Sequence, residues 1–354
     1  MATEFTRWLG IDHPIIQAPM AGAGSTPAMT AAVSAAGGLG SIGAAYLSLD
    51  ALAAEVAEVR SRTDRPFAIN LFARSESAPG AADPAPMLAL IARHHEALGI
   101  EPPVLPSMPP DPLDSQLAAM LVHQPAVVSF TMGALPAADV ARLKAAGIKT
   151  MGTATTVAEA KALEASGVDA IIAQGSEAGG HRGTFFAPWQ AALIGTMALV
   201  PQIVDAVSVP VVAAGGIMDG RGIVAAEALG AAAVQMGTAF LTTTESGIHE
   251  AYKAALLASA DTATTVTLAF SGRPARGMRN RFLTEVEAVA DQILSFPLQN
   301  STTRPMRSAA ARQGDIERLS LWSGQAASLG RRMGSAELVR RLVDEAEAVR
   351  ARLR

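Results

Sequence analysis

Eight short apolar runs bounded by glycine or proline recur along the chain, and this alternation constrains the fold more than any other feature. They lie at His13–Met20, Leu39–Gly43, Phe67–Phe72, Ala126–Met132, Ile148–Ala154, Ala170–Gly175, Val209–Gly216 and Ala232–Thr238. Between them, Pro27–Ala36, Leu49–Arg60, Met87–Leu98, Pro136–Ala146, Val157–Ser166, Met197–Val207 and Gly220–Leu229 carry the longer period of helices. Thr155 and Thr156 are placed to cap one helix, and Gly147, Gly167 and Gly230 to end others. A parallel strand buried on both faces reads as a continuous apolar run. Eight βα units within about 250 residues predict an α/β fold of the closed (β/α)8 TIM-barrel type rather than an open sheet.

Two regions break the rhythm. Ala78–Asp114 is rich in proline (Pro102, Pro103, Pro106, Pro109, Pro110 and Pro112) and reads as a helix followed by an irregular loop at the barrel rim. After Thr238 the pattern is helical at Ser246–Ser259, extended at Thr262–Phe270, irregular through Arg273–Arg307, then helical at Ile316–Leu329 and Ala336–Leu353. The expected organisation is a barrel over 1–240, completed by helices in 310–354, with a smaller lid-like segment at 241–309 inserted in the last βα unit.

Composition narrows the function. A net charge of −4 gives no broad footprint for nucleic acid or anionic membrane. The absence of cysteine removes disulfides, thiolate nucleophiles, Cys-ligated zinc and iron–sulfur clusters, so redox chemistry would need a cofactor. The N-terminus has no signal-peptide pattern, and no apolar run reaches membrane-span length, so a cytoplasmic protein is expected.

In such a barrel the working face is at the C-terminal ends of the strands. Those ends carry Gln17, Ala18, Pro19, Met20, Asn70, Thr131, Thr153, Gln174, Gly175, Gly215, Gly216, Gln235, Gly237 and Thr238: amides and glycines, with hardly any charge. No lysine stands there, which argues against a Schiff-base aldolase, and no Asp, Glu and His set has metal-ligand character. Amides that both donate and accept suit a flat ring with many hydrogen-bonding edges. The turns at Gly215–Gly216 and at Gly237–Thr238 expose backbone N–H groups before helices, where phosphate is favoured. Gln174-Gly-Ser-Glu-Ala-Gly-Gly-His-Arg-Gly183 puts His181 over the mouth as the candidate base. Ser176 and Glu177 lack a nucleophile elbow, so a hydrolase triad is not expected.

These segments resemble the nitronate monooxygenase family, formerly the 2-nitropropane dioxygenases, and in particular its class I. The resemblance rests on Pro14-Ile-Ile-Gln-Ala-Pro-Met20, Asn70-Leu-Phe72, Gln174 to Gly183, Ala213-Ala-Gly-Gly-Ile-Met-Asp-Gly-Arg-Gly222, Gln235-Met-Gly-Thr238, Ser271-Gly-Arg-Pro-Ala-Arg-Gly277 and Trp322-Ser-Gly-Gln325. It implies an FMN-containing barrel that uses O2 to oxidise alkyl nitronates, with nitroalkanes as a secondary substrate class, to carbonyl compounds and nitrite through a flavin semiquinone. Carried across by position, it implies FMN contacts at Ala18, Pro19, Met20, Asn70, Gln174, Gly179, Gly180, Gly216, Gln235, Met236, Gly237 and Thr238, beside the Gly215 read above as part of a phosphate turn. It makes His181 the catalytic histidine, acting as a base or, as imidazolium, by charge. Thr131 stands where class I members usually present histidine or a similar group, and Asn300 and Arg304 where they carry Tyr and Lys, which makes these three candidate substrate contacts. Family pockets are lined by tyrosines, whereas this chain has only Tyr46 and Tyr252. Lid arginines Arg273, Arg276, Arg279 and Arg281 either attract an anion or are solvated surface.

Three other readings compete: an NAD(P)H-dependent FMN reductase of enoyl-thioesters or quinones on the same barrel, a flavin- or phosphate-binding module without turnover, and a flavin-free isomerase. The partners implied are a small-molecule substrate and O2, with neither nucleic acid nor membrane.

Overall fold

In a computed structural model of the chain, residues 3–22, 24–74, 79–108 and 110–353 are described. The first two residues, Ala78, Pro109 and the last residue, all within segments named above, lie outside them. All eight apolar runs are strands: β1 (Ile15–Gln17), β2 (Gly40–Gly43), β3 (Phe67–Phe72), β4 (Val127–Thr131), β5 (Lys149–Ala154), β6 (Ala170–Gln174), then, past a short β7 (Gly180–His181), β8 (Val211–Ala214) and β9 (Ala233–Met236). They pair in parallel in the order β1-β9-β8-β6-β5-β4-β3-β2. A parallel bridge from Ile16 to Leu39, with Gln17 N–H donating to the Leu39 carbonyl at 2.9 Å, joins β1 to β2 and closes the barrel.

Strand side chains alternate between two cores. Ile15, Ile69, Phe130, Ile171, Ala173 and Val234 pack against the covering helices. Ile16, Ala68, Met151, Ala170, Ile172 and Val212 fill the interior, with Phe5, Leu9 and Ile11 beside them. Those three lie on and just after a short helix, Glu4–Leu9, that the sequence reading missed because six residues cannot display a helical period. Helix starts follow local chemistry: Thr156 caps Val157–Ala165 reciprocally with Glu159, and Gly147, Gly167 and Gly230 take positive φ after their helices.

Beyond the barrel the expectations need correction. Arg273–Arg307 is not irregular: it contains β11 (Ala275–Met278), a helix at Arg281–Glu287 and most of a helix at Leu298–Gln313. The polarity of these elements and Pro305 inside the last one hid the pattern. Ile316–Leu329 is not a helix but an extended segment with one 3-10 turn at Ala327–Leu329. Its apolar residues Leu319 and Leu321 are buried side by side, and the Leu321 carbonyl accepts from Met278 N–H at 2.9 Å. A helix at Leu113–His123, hidden behind the prolines, follows the irregular loop.

β11 is the middle strand of a three-stranded antiparallel sheet, between β10 (Thr264–Thr267) and β7. β7 belongs to the loop after barrel strand β6, so the lid sheet takes one strand from the barrel. Under the sheet lies a separate core of Leu256, Phe270, Phe282, Leu283, Leu294 and Met306, to which Met87, Leu90 and Ile91 of helix Ala85–Leu98 also contribute. That helix, placed by the sequence reading with the barrel rim, therefore packs into the second core. The chain then returns: helix Ser335–Leu353 lies against Gly220–Ala228 and Pro27–Ala35, where the eighth covering helix belongs, burying Leu338, Val339 and Leu342.

Candidate functional site

A cavity of about 620 Å³ occupies the C-terminal mouth of the barrel, between the strand ends and residues of the second core's segment such as Tyr252, Arg304 and Trp322. Ala18, Pro19, Met20, Thr131, Gly179, Gly180, His181, Met236 and Gly237 line it, as do Asn70, Gln174, Gly215, Gly216, Gln235, Thr238, Asn300 and Arg304. All the site residues expected from the sequence thus face one space. Among the described residues, no Asp or Glu lines it.

What each side chain has left to offer differs. Gln174 is committed to its own loop: its Nε2 donates to the His181 carbonyl (3.0 Å) and its Oε1 accepts from Gly183 N–H (2.8 Å). Gln17 is fully buried and ties strand ends together, accepting from Ser41 N–H and donating to Ser25 Oγ (2.9 Å), so it is structural. Asn70 donates Nδ2 to Ser129 Oγ (2.9 Å) and keeps its carbonyl oxygen for a ligand. Gln235 and Thr131 face the cavity without a side-chain partner among the described residues. Thr238 Oγ1 accepts from Gly324 N–H (3.0 Å), leaving its hydroxyl proton to give.

Of the two phosphate-type turns, one differs from expectation. The first amides of helix Gly220–Ala228 are already capped by Asp219, which accepts from Arg221 N–H (2.9 Å) and is held below the usual carboxylate range, against its burial, by the Arg221 side chain. A bound anion there must use the Gly215–Gly216 turn itself, both residues having positive φ. Glu177 caps in the same manner, accepting from Thr196 N–H (2.9 Å) and Oγ1 (2.8 Å) at the start of helix Thr196–Val204. It is therefore not a free catalytic acid.

The loop bearing His181 is held from below by Arg182, whose residue is 1% exposed. Its guanidinium donates to the carbonyls of Gly175 (2.6 Å), Gln174 (3.1 Å) and Ala192 (3.3 Å), and burial pushes its pKa down to about 10. From above, β7 fixes the backbone, with His181 opposite Ala275. The imidazole Nε2 lies 2.9 Å from Ser271 Oγ, and the ring contacts Phe72 edge-on and Trp322 at a tilt. Nδ1 is the nitrogen left for a ligand. Burial, reinforced by the cations Arg273 and Arg307, pushes the His181 pKa down to about 3. The ring is thus neutral at physiological pH, which leaves it a lone pair and no charge with which to clamp an anion.

This shift has a consequence for stability. The unfolded chain takes up a proton near pH 6.5 that the native site refuses, so stability is complete above that pH and falls as the pH drops toward about 3. Urea unfolding of wild type should lose up to about 1.4 kcal/mol per pH unit from this group between pH 6 and 4. His181→Asn should have a shallower slope, and identical slopes would count against the neutral imidazole. His94, also lowered by burial, contributes in the same sense in both proteins.

Sequence reasoning missed Tyr46, Arg307 and Ser271 as individual site residues. Tyr46 follows β2 by three residues, so a strand-end search carried a few positions further would have reached it. It lines the cavity and stacks edge-on to Phe72 at 5.6 Å. Tyr252 also lines the cavity, but its hydroxyl donates to the Trp322 carbonyl (2.6 Å). Among the described residues, no three His, Asp or Glu side chains gather as metal ligands, and no helix is long and apolar enough to cross a membrane.

A closed (β/α)8 barrel with one deep cavity at its C-terminal mouth, amides and glycine turns around the wall and a neutral histidine over it, defines a barrel enzyme acting on a small molecule. Comparison with known proteins narrows the class. A profile of the nitronate monooxygenase family matches residues 3–345. A probable nitronate monooxygenase of Staphylococcus saprophyticus is 44% identical over 351 residues, covering 99% of both chains. One from Staphylococcus aureus is 46% identical over 327 residues, covering 92% of each. Among solved structures, a nitroalkane oxidase from Streptomyces ansochromogenes superposes with a TM-score of 0.92 at 40% identity, covering 99% of this chain and 100% of that one. FabK from Thermotoga maritima follows at 0.79 and 32%, covering 100% and 98%. The chain belongs to the nitronate monooxygenase family and is an oxidoreductase.

Proposed function

We propose that this protein is an FMN-dependent monooxygenase that oxidises alkyl nitronates with O2 to carbonyl compounds and nitrite. The observation that carries the reading is the division of the cavity. Unpaired amides and glycine turns come from the barrel strand ends, arginines from helix Leu298–Gln313 with no carboxylate among the described lining residues, and His181 lies over the mouth.

The residues fit FMN. Asn70 and Gln235 offer unpaired neutral amide atoms to a flat heteroaromatic ring. The Gly215–Gly216 turn and Thr238 offer donors to a phosphate. Gly216 has φ +72, and a Cβ there would stand 3.2 Å from Glu177 Cβ, so only glycine keeps this turn open. A Cβ on Gly180 would project into empty space within the site, room that a ligand can fill. When bound, FMN supplies the electron acceptor and the route to O2.

The chain's own side chains do the rest. Arg304 and Arg307 line the cavity and favour an anion such as a nitronate, with no carboxylate among the described lining residues to oppose them. Neutral His181 can take the α-proton of an uncharged nitroalkane at Nδ1, its Nε2 edge anchored by Ser271. Residues 241–309 act as the lid that shields the reacting centre from water.

The test is a flavin spectrum of the purified protein, mixed anaerobically with ethylnitronate and, separately, with NADPH or NADH. The expected result is a change on adding nitronate alone, then nitrite release on admitting air. Full bleaching by nicotinamide with no response to nitronate would replace this reading by the reductase. Bound FMN inert to both would leave a binding module, and protein that cannot take up FMN an isomerase.

A further inference from the structure

Two polar groups at this cavity are buried without a partner, the Tyr46 hydroxyl and Arg307 Nε. Both belong to residues that line the cavity. Buried donors are nearly always satisfied, so two orphans at one cavity point to a ligand that supplies the acceptors. Among the described residues, the charges acting on the phenol are those of Arg307, Arg304 and Arg273, all positive. A neutral phenol in a positive field presents its proton to an anion rather than its lone pair to a cation.

The geometry is fixed on both sides. Tyr46 ends the 3-10 turn Ala44–Tyr46 after β2, and its ring is locked edge-on to Phe72, which in turn meets His181 edge-on, so the three rings form one wall. Arg307 is held by Asn300, whose backbone carbonyl and Oδ1 both accept from its Nη2 at 2.8 Å. Those bonds use Nη2 and leave Nε free to donate. Arg304, one helical turn earlier, lines the cavity from an exposed position.

We propose that Tyr46 and Arg307 form an oxyanion-binding pair, in which the phenolic O–H and the guanidinium Nε–H hold the O–N–O edge of the substrate, a nitronate on the reading above. Asn300 is then a positioning residue that acts through Arg307. With Tyr252 committed to Trp322, Tyr46 is the one tyrosine whose hydroxyl is available, and it takes the substrate-facing role from the β2 side of the barrel. The pair selects small planar oxyanions.

Nitrate shares the planar O–N–O edge and serves as an inert probe. Isothermal titration of the FMN-loaded protein should show nitrate binding that Tyr46→Phe weakens about tenfold or more. Because Tyr46→Phe removes only an unpartnered group, its thermal midpoint should equal or exceed that of wild type. The KM for ethylnitronate should rise about tenfold, with kcat within about threefold. Asn300→Ala, which frees Arg307 to swing away, should weaken nitrate binding to an intermediate extent. Nitrate affinity in Tyr46→Phe within about twofold of wild type, or a loss of binding accompanied by a clear fall in thermal midpoint, would overturn the pair. If wild type binds nitrate through Tyr46 yet oxidises no nitronate, the pair stands and the nitronate reading falls.

Discussion

Replacing His181 by Asn is expected to lower the oxidation of neutral nitroalkanes by about 10²- to 10⁴-fold while affecting the matching nitronates far less. The expectation follows from the protonation state. A histidine held neutral by burial and by Arg273 and Arg307 has a lone pair to accept an α-proton, and Ser271 anchors the edge that does not face the ligand. Asn retains a similar size and hydrogen-bonding capacity but is no base. A nitronate arrives already deprotonated, so only the nitroalkane needs this step. Steady-state kcat/KM for nitroethane and ethylnitronate, with FMN content measured alongside, decides the matter. Equal losses for both substrates would mean that His181 acts on the bound anion rather than on a proton.

Arg182→Met should destabilise the protein by about 3 kcal/mol or more and empty the proposed FMN site. One guanidinium donates to the carbonyls of Gly175, Gln174 and Ala192 in the interior, and methionine would remove it from all three, leaving the Gly175 carbonyl only the Ala178 N–H at 3.2 Å. The same loop carries Gly179, Gly180 and His181 into the cavity, so its frame fails together with the site. Arg182→Lys, with a compact ammonium in place of a planar fork, should lose somewhat less but still a measurable amount. A urea midpoint that falls with unchanged slope would confirm the loss of folding stability. A midpoint shift worth less than about 0.5 kcal/mol would show that water replaces the guanidinium.

Within the barrel, much was legible. Ile171, Val212 and Val234 sit in short apolar runs that read as buried parallel strands, and glycines such as Gly147 and Gly167 mark helix ends by a conformation few other residues accept. The strand-end residues Asn70, Gly216 and Gln235 could be collected because a closed barrel sends every strand's C-terminus to one rim. The lid was much less legible. Ala275–Met278 is a strand only because Thr264–Thr267 and Gly180–His181 flank it, and nothing in Ala-Arg-Gly-Met announces that. Leu319 and Leu321 suggested a helix, but backbone pairing with β11 drew them into an extended segment.

The sequence by itself determined the order of strands and helices, and hence which residues reach the mouth of the barrel, because those depend on spacing and on the local chemistry of caps and turns. Tertiary structure alone decided what those residues have left to give. Gln174 and Asp219 are consumed by their own loop and helix, Asn300 by Arg307, and Tyr252 by Trp322, whereas Gln235, Tyr46 and the Nδ1 of His181 remain for a ligand. A hydrogen-bonding group serves a ligand only when no neighbour has claimed it. Whether a neighbour claims it depends on how each loop and helix folds back, over two residues at Asp219, seven at Gln174 and Asn300 and seventy between Tyr252 and Trp322, and spacing alone does not reveal that.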